Sequence, residues 1–363
     1  MSITRRTLLH GAAVAGAAGA SARAAQAQQG QKLNVGFILV GPVGDFGWSY
    51  QHDQGRKTMI EAIGAERITS TVVEAVAPPD FDRVVTQLSR NGARVIFTTS
   101  FTFFQATLRA AQRMGSTRFE AATGTAPRAP NVAVYDGRFY EGRYVQGVVA
   151  ARKSKTKQIG YVAAFPIPEV IHGINTLMRG AWSVDPAMKV RVVWANTWFD
   201  PPKEADAARA LIDQGCDVLC QHTDSPAPLQ LAEQRGIHAF GQASDMTRFA
   251  PKAHLFSSID EWGGYYTARA RAMLDNSWRA TDTWGGLADG MLRLSAFTNM
   301  APEEAAEAER IVNAIKSGQL HAFEGPIVKQ DGTEVIPAGE RLGDAAIKAM
   351  NFFYRGIEAQ IPR

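Results

Sequence analysis

Short apolar runs alternate with amphipathic stretches along most of the chain. Residues 33–40, 69–74 and 94–99 have strand character, and each is followed by a segment of helical period, 48–63, 80–91 and 102–115. The alternation resumes at 157–164 and continues to about residue 242. Strands alternating with helices predict a parallel sheet with helices on both faces. Polar-poor runs such as ARVIFTTS (93–100) and CDVLCQHT (216–223) read as strands buried on both sides.

The plan occurs twice. PPDFDRVVTQLSRNGARVIFTTSF (78–101) aligns with PPKEADAARALIDQGCDVLCQHTD (201–224), so that the prolines, Leu88 with Leu211, Gly92 with Gly215, and Val95 with Val218 fall at one offset. In both copies an acid-rich helix start follows the prolines, and a capping glycine precedes a buried strand. VGFILVGPVGDFGW (35–48) matches IGYVAAFPIPEVIH (159–172) at nearly the same offset. Collinear similarity over two units predicts two similar α/β lobes, each built around a doubly wound sheet.

Ligands of such sheets bind beyond the carboxyl ends of the strands. Two facing lobes would bring four loops to one cleft: GPVGDFGW and TSFTFF from the first, AFPIPEV and QHTDSP from the second. They carry Asp45, Phe46, Trp48, Phe101, Phe103, Phe104, Phe165, His222 and Asp224, with no lysine or arginine. The glycines of the opening loop follow G-x-x-G-x-x-G with Pro42 after the first, which is not the dinucleotide fingerprint. Aromatics and a few acids suit a flat ligand that stacks and donates N–H groups. Trp198, Ser244, Asp245, Asp260 and Trp262 fall at further predicted strand ends and join the candidates.

The first residues read as an export signal. Arg5 and Arg6 precede a weakly apolar Ala/Gly stretch, and Ala25-Gln26-Ala27 offers a small-x-small cleavage site. Removal of a signal ending at Ala27 takes away Arg5, Arg6 and Arg23 and lowers the net charge from +4 to +1. A mature chain of that charge has no electrostatic footprint for nucleic acid. About 335 residues exceed what one core usually serves, in keeping with two lobes. Cys216 and Cys220 lie about 13 Å apart if they share a strand, beyond disulfide reach, and are expected as buried thiols.

A secreted α/β enzyme, such as a nucleoside hydrolase, needs a metal cluster or an activated nucleophile. None of the seven histidines sits in a metal-binding spacing, and neither a nucleophile elbow nor a P-loop is present. His222, two residues from Asp224, reads as a hydrogen-bonding pocket residue rather than a base. No cofactor is expected.

The blocks VGFILVGPVGDFGWSYQ, YDGRFYEGRYVQGVVAA, IGYVAAFPIPEVIHGINTLMRGA, DVLCQHTDSPAPLQLAEQRGIHAFGQASDM and LFSSIDEWGGYYTARA occur in this order. Together they resemble the basic membrane protein family of ABC-transporter substrate-binding proteins, which includes bacterial purine nucleoside receptors. The resemblance implies the type I periplasmic-binding fold, two lobes joined by three crossovers. It divides the chain into a first lobe at 32–136 with a return at about 258–295, a second at 137–257 with a return at about 296–340, and a C-terminal helix at 341–363. It implies a periplasmic, monomeric receptor that delivers a purine base or nucleoside to an ABC permease and ATPase; a ligand-sensing ectodomain is the other reading.

By position, Trp48 resembles the family aromatic that stacks on the base, with Asp45 beside it, and Asp245 resembles the acid that holds ribose. The chain departs from the family in having no lipobox cysteine, a D-F-G-W loop, and Asp260 where nucleoside binders tend to carry lysine. This variant is similar to a subgroup associated with adenine or related bases.

Overall fold

The computed structural model describes residues 32–362; the expected export signal and its expected cleavage site lie outside the described residues. The first sheet takes strands β1 (Leu33–Ile38), β2 (Ile68–Val73), β3 (Val95–Thr98), β4 (Arg118–Ala122) and β5 (Val132–Gly137). The second takes β6 (Gln158–Ala163), β7 (Lys189–Trp194), β8 (Val218–His222), β9 (His238–Ala243) and β10 (His254–Asp260). The chain then returns to the first sheet with β11 (Asp282–Gly285) and to the second with β12 (Leu292–Leu294). The orders are β11-β5-β4-β3-β1-β2 and β12-β10-β9-β8-β6-β7-β13, where β13 is the short strand Ile357–Glu358 near the end of the chain. Except for β12, which runs antiparallel to β10, the pairings within both sheets are parallel.

The helices are α1 (Trp48–Ile63), α2 (Phe81–Arg90), α3 (Phe104–Arg113), α4 (Phe139–Lys153), α5 (Pro168–Trp182), α6 (Pro201–Asp213), α7 (Ala227–Arg235), α8 (Gly263–Leu274), α9 (Pro302–Lys316) and α10 (Asp344–Lys348). The repeat is visible in its details. On α2, Phe81, Val84, Val85 and Leu88 are buried on one face, the i, i+3, i+4, i+7 stripe of a sheet-covering helix. In the second copy, Asp200 caps α6 by accepting from the Lys203 N–H, and Pro201 occupies the first turn. Both helices hand over to their strands through a left-handed glycine, Gly92 at φ 87° and Gly215 at φ 90°. β3 and β8 are buried along their whole length.

The crossover after β5 leads into α4, which packs on α5 in the second lobe's core. Glycines set their separation: a Cβ on Gly147 would lie 2.0 Å from the Leu177 carbonyl oxygen, and one on Gly180 2.1 Å from that of Tyr144. The backbones therefore touch, which fixes the height of α4 side chains against the start of α5.

Three expectations need correction. The segment 341–363 is not a helix beyond Lys348: Gly356, at φ 92°, turns the backbone, and Ile357–Glu358 pairs with β7. Met350, Phe353, Tyr354 and Ile357 are buried in the second lobe's core, so burial rather than helical period governs this tail. The boundary expected at 257/258 falls inside β10, which stays in the second sheet to Asp260. Phe103 and Phe104 turn into the first lobe's core, Phe103 lying 5.2 Å from Phe81, and do not reach the cleft.

Candidate functional site

The carboxyl ends of both sheets face each other across a cleft. Val40, Trp48, Ser100, Phe101 and Thr123 from the first lobe and Ile167, Glu169, Trp198, His222, Asp224 and Gln242 from the second line about 350 Å³ of space, part of it open to solvent. A second space continues past Phe101, Thr123, Ile167 and Glu169 toward Asp136, His172 and Lys348.

The lobes touch at the rim. The Trp48 backbone N–H points to Asp224 Oδ1 at 3.4 Å, and the Ser244 hydroxyl donates to the Phe46 carbonyl. A Cβ on Gly47 would meet the Asp224 carbonyl at 2.5 Å, so only glycine permits this approach. The Arg248 guanidinium sits 4.3 Å from the Phe46 ring centroid. Phe46 itself adopts φ 61°, a left-handed conformation that costs a non-glycine residue about 1–2 kcal/mol.

Of the aromatics expected here, Trp48, Phe101 and Trp198 line the cleft. Trp48 presents its indole from the first turn of α1, and its ring N–H is anchored on the Thr99 carbonyl at 2.6 Å. Phe165 packs edge-on against Trp198 with centroids 5.1 Å apart, behind the wall rather than in it. Phe46 lies at the rim against Phe249. The Asp45 side chain lies outside the described residues.

Trp262 is 1 % exposed and belongs to the first lobe's core, stacked on His52 at 5.0 Å. The start of α8 presses it against α1, where a Cβ on Gly55 would be 2.8 Å from the Trp262 Cβ. Asp245 is exposed, and its carboxylate accepts from the Thr247 N–H and hydroxyl, closing a turn. Neither residue lines the cleft, because each is claimed by local packing or local hydrogen bonds.

His222 and Asp224 are where the strand-end argument put them, and both are buried. His222 Nε2 lies 3.0 Å from Glu169 Oε1. Burial, with Arg143 adding to it, holds His222 well below the usual histidine value, and burial lifts Glu169 to about 8 even though Arg143 pulls it down. The pair is therefore neutral: the carboxyl proton is donated to Nε2, leaving Nδ1 as an N–H donor. His222 Nδ1, Glu169 Oε2 and Trp198 Nε1 have no hydrogen-bond partner among the described residues. Two N–H donors and a carboxyl oxygen are thus available around aromatic surfaces.

The sequence reading missed Glu169, Gln242 and Arg143. Glu169 stands in the AFPIPEV loop and Gln242 two residues before Ser244, but neither carries the aromatic or strand-end signal that marks the other candidates. Arg143, on α4, corrects the expectation of a cation-free site. It is 1 % exposed, donates to Gln146 Oε1 at 2.9 Å and to Gln242 Oε1, and lies 5.5 Å over the Tyr161 ring. It holds Gln242 from behind while Gln242 faces the cleft. Asp260 sits deeper in the same charged cluster. It is buried and does not line the cleft; burial and then Glu169 push its pKa well above the carboxylate range.

Among the described residues no group of three His, Cys, Asp or Glu side chains is arranged to hold a metal. Cys216 and Cys220 are free and buried, and burial raises both thiols to about 12. No helix among the described residues is long and apolar enough to cross a membrane.

Comparison with known proteins agrees with this architecture. The family described as ABC transporter substrate-binding protein PnrA-like matches residues 32–324. A purine-binding protein of Brucella abortus is 49% identical over 334 residues, 92% of this chain and 95% of that one. A Haloferax volcanii protein provisionally named an ABC transporter glucose-binding protein is 34% identical over 335 residues, 92% of this chain and 82% of its own length. The solute-binding protein of an Aeropyrum pernix ABC transporter has the same fold, with a TM-score of 0.68 at 18% identity over 80% of this chain and 92% of that one. One from Conexibacter woesei gives 0.62 at 17% identity over 80% and 98%. These are type I periplasmic-binding architectures, two α/β lobes around one cleft. The chain belongs to the PnrA-like, basic membrane protein family of ABC-transporter substrate-binding proteins.

Proposed function

We propose that the cleft captures a purine base, adenine in preference to adenosine, and delivers it to a membrane permease and its ATPase. Family membership makes the chain an extracytoplasmic solute-binding protein and not an enzyme. The carrying observation is the site itself: Trp48, Phe101 and Trp198 walls around Glu169, His222, Asp224 and Gln242. The name of the Brucella relative supports a purine. The His222 and Trp198 N–H groups suit ring-nitrogen acceptors, and Asp224 and Glu169 suit an exocyclic amine and a ring N–H.

The reasons for preferring the base differ from those suggested by the sequence. Asp260 is too deep to confront a ligand, and Asp245, which resembles a ribose-binding acid, is committed to its turn. In the adjoining space Lys348 is paired with Asp282 at 2.9 Å, and Asp136 Oδ1 accepts from the Gly137 N–H at 2.7 Å. Ribose hydroxyls would therefore compete with existing partners. Export by the twin-arginine route, cleavage after Ala27 and a monomeric working state complete the proposal.

Native mass spectrometry of protein isolated from the periplasm without added ligand tests the ligand class. A bound species with the mass of a purine is expected; a bound hexose would point to the sugar suggested by the Haloferax name and overturn the reading.

A further inference from the structure

At the amino ends of the first sheet's strands, opposite the cleft, Arg94 immediately precedes β3, Arg118 opens β4, and Arg279 follows α8. With Ser116, Asn276 and Trp278 they line a solvent-open pocket of about 530 Å³ that has no acidic residue in its wall. Ser100, at the cleft end of the same strand as Arg94, is six residues on, so the two sites stand about 20 Å apart.

Among the described residues no carboxylate pairs with these three guanidinium groups, whereas nearby Arg113 pairs with Asp82 at 2.6 Å and Arg269 with Glu120 at 2.6 Å. Glu120, beneath the pocket floor, is fully buried and already accepts from Arg269, Trp278 and Tyr265. It offers the pocket no counter-charge. Asp275, on the turn before it, is occupied by the Ser277 N–H and hydroxyl.

Two of the arginines are also held in place. Arg118 donates to the Gly115 carbonyl at 3.0 Å and lies 5.4 Å from the Trp278 ring centroid. Arg279 donates to the Trp278 carbonyl at 2.7 Å. Each spends one N–H this way, and a guanidinium has five in a planar fork. Three such forks around a concavity, with hydroxyl and amide groups beside them, match the oxygens of a phosphate or carboxylate group.

We propose that this pocket is a second ligand site, independent of the purine cleft, for a small anion carrying two or more phosphate or carboxylate groups. Cation–π stacking on Trp278 accounts for Arg118 alone; it gives no reason for Arg94 and Arg279 to join it in an acid-free wall.

The mature full-length protein should be titrated calorimetrically with sodium diphosphate and, separately, with sodium citrate at fixed ionic strength. One saturable site is expected for at least one anion, and the tighter of the two identifies its source as phosphate or carboxylate. The double variant Arg94→Gln, Arg279→Gln should bind that anion at least about tenfold more weakly, since each lost fork removes charge-assisted hydrogen bonds. Its adenine affinity should stay within about twofold, because these residues are remote from the cleft. Arg279 is exposed and Arg94 partly exposed, and glutamine keeps a polar, unbranched side chain at both positions. Absence of saturable binding of either anion, or equal affinity in the double variant, overturns the proposal and leaves a solvated basic patch.

Discussion

Replacing Arg143 by leucine is expected to destabilise the protein by about 3–5 kcal/mol, the usual cost of removing one partner from a buried charged cluster. The substitution leaves the Gln146 and Gln242 amide oxygens without their buried donor. It also removes a positive charge that offsets both Glu169 and Asp260. Glu169 keeps its proton to about pH 8 in the fold and loses it near 4.5 when unfolded, so its contribution to stability falls as pH rises across that window. Without Arg143 the folded value rises further and the loss continues to higher pH. The variant's deficit should therefore be larger at pH 9 than at pH 6. Urea unfolding of both proteins at the two pH values measures it; a deficit below about 1 kcal/mol, independent of pH, would mean that Arg143 is not coupled to the acids.

Trp48→Ala should weaken adenine binding by about 1–3 kcal/mol, roughly five- to 150-fold, the range for one base–aromatic stack. The indole is anchored on the Thr99 carbonyl, so it is pre-oriented and little affinity goes into ordering it. Its edge also packs against His52, Phe139 and Trp262, so truncation costs stability as well. Affinity and unfolding must be measured separately. Trp48→Phe, which keeps a π-face but loses the N–H, should retain most of the affinity. An unchanged dissociation constant in Trp48→Ala would make this indole a packing residue only.

The fold was legible because its signals are local and occur twice. A two-sided apolar strand, a helix with a buried stripe and a left-handed glycine recur at 78–101 and 201–224, and each copy supports the other. The tail was not legible: Met350, Phe353, Tyr354 and Ile357 are apolar at spacings that suit a helix, yet long-range burial draws them into a folded-back segment. Site residues divide on similar grounds. Trp48, His222 and Asp224 follow from being at strand ends. Glu169 and Arg143 depend on which faces of α4 and α5 meet, and that is fixed by the contact of Gly147 and Gly180. α4 is buried on nearly every side, so no stripe of polar positions singles out Arg143. Trp262 shows the converse error, a strand-end aromatic drawn into its own lobe by α1.

Calorimetric titration of the mature protein with adenine and with adenosine, under identical conditions, separates base binding from nucleoside binding in the cleft. Saturable one-to-one binding of adenine is expected, at least about tenfold tighter than adenosine, since a ribose left with even one unpaired buried hydroxyl loses about 1–3 kcal/mol. Adenosine binding as tightly as adenine would contradict the preference for the free base, and the absence of saturable binding by either would contradict the assignment of the cleft to purines.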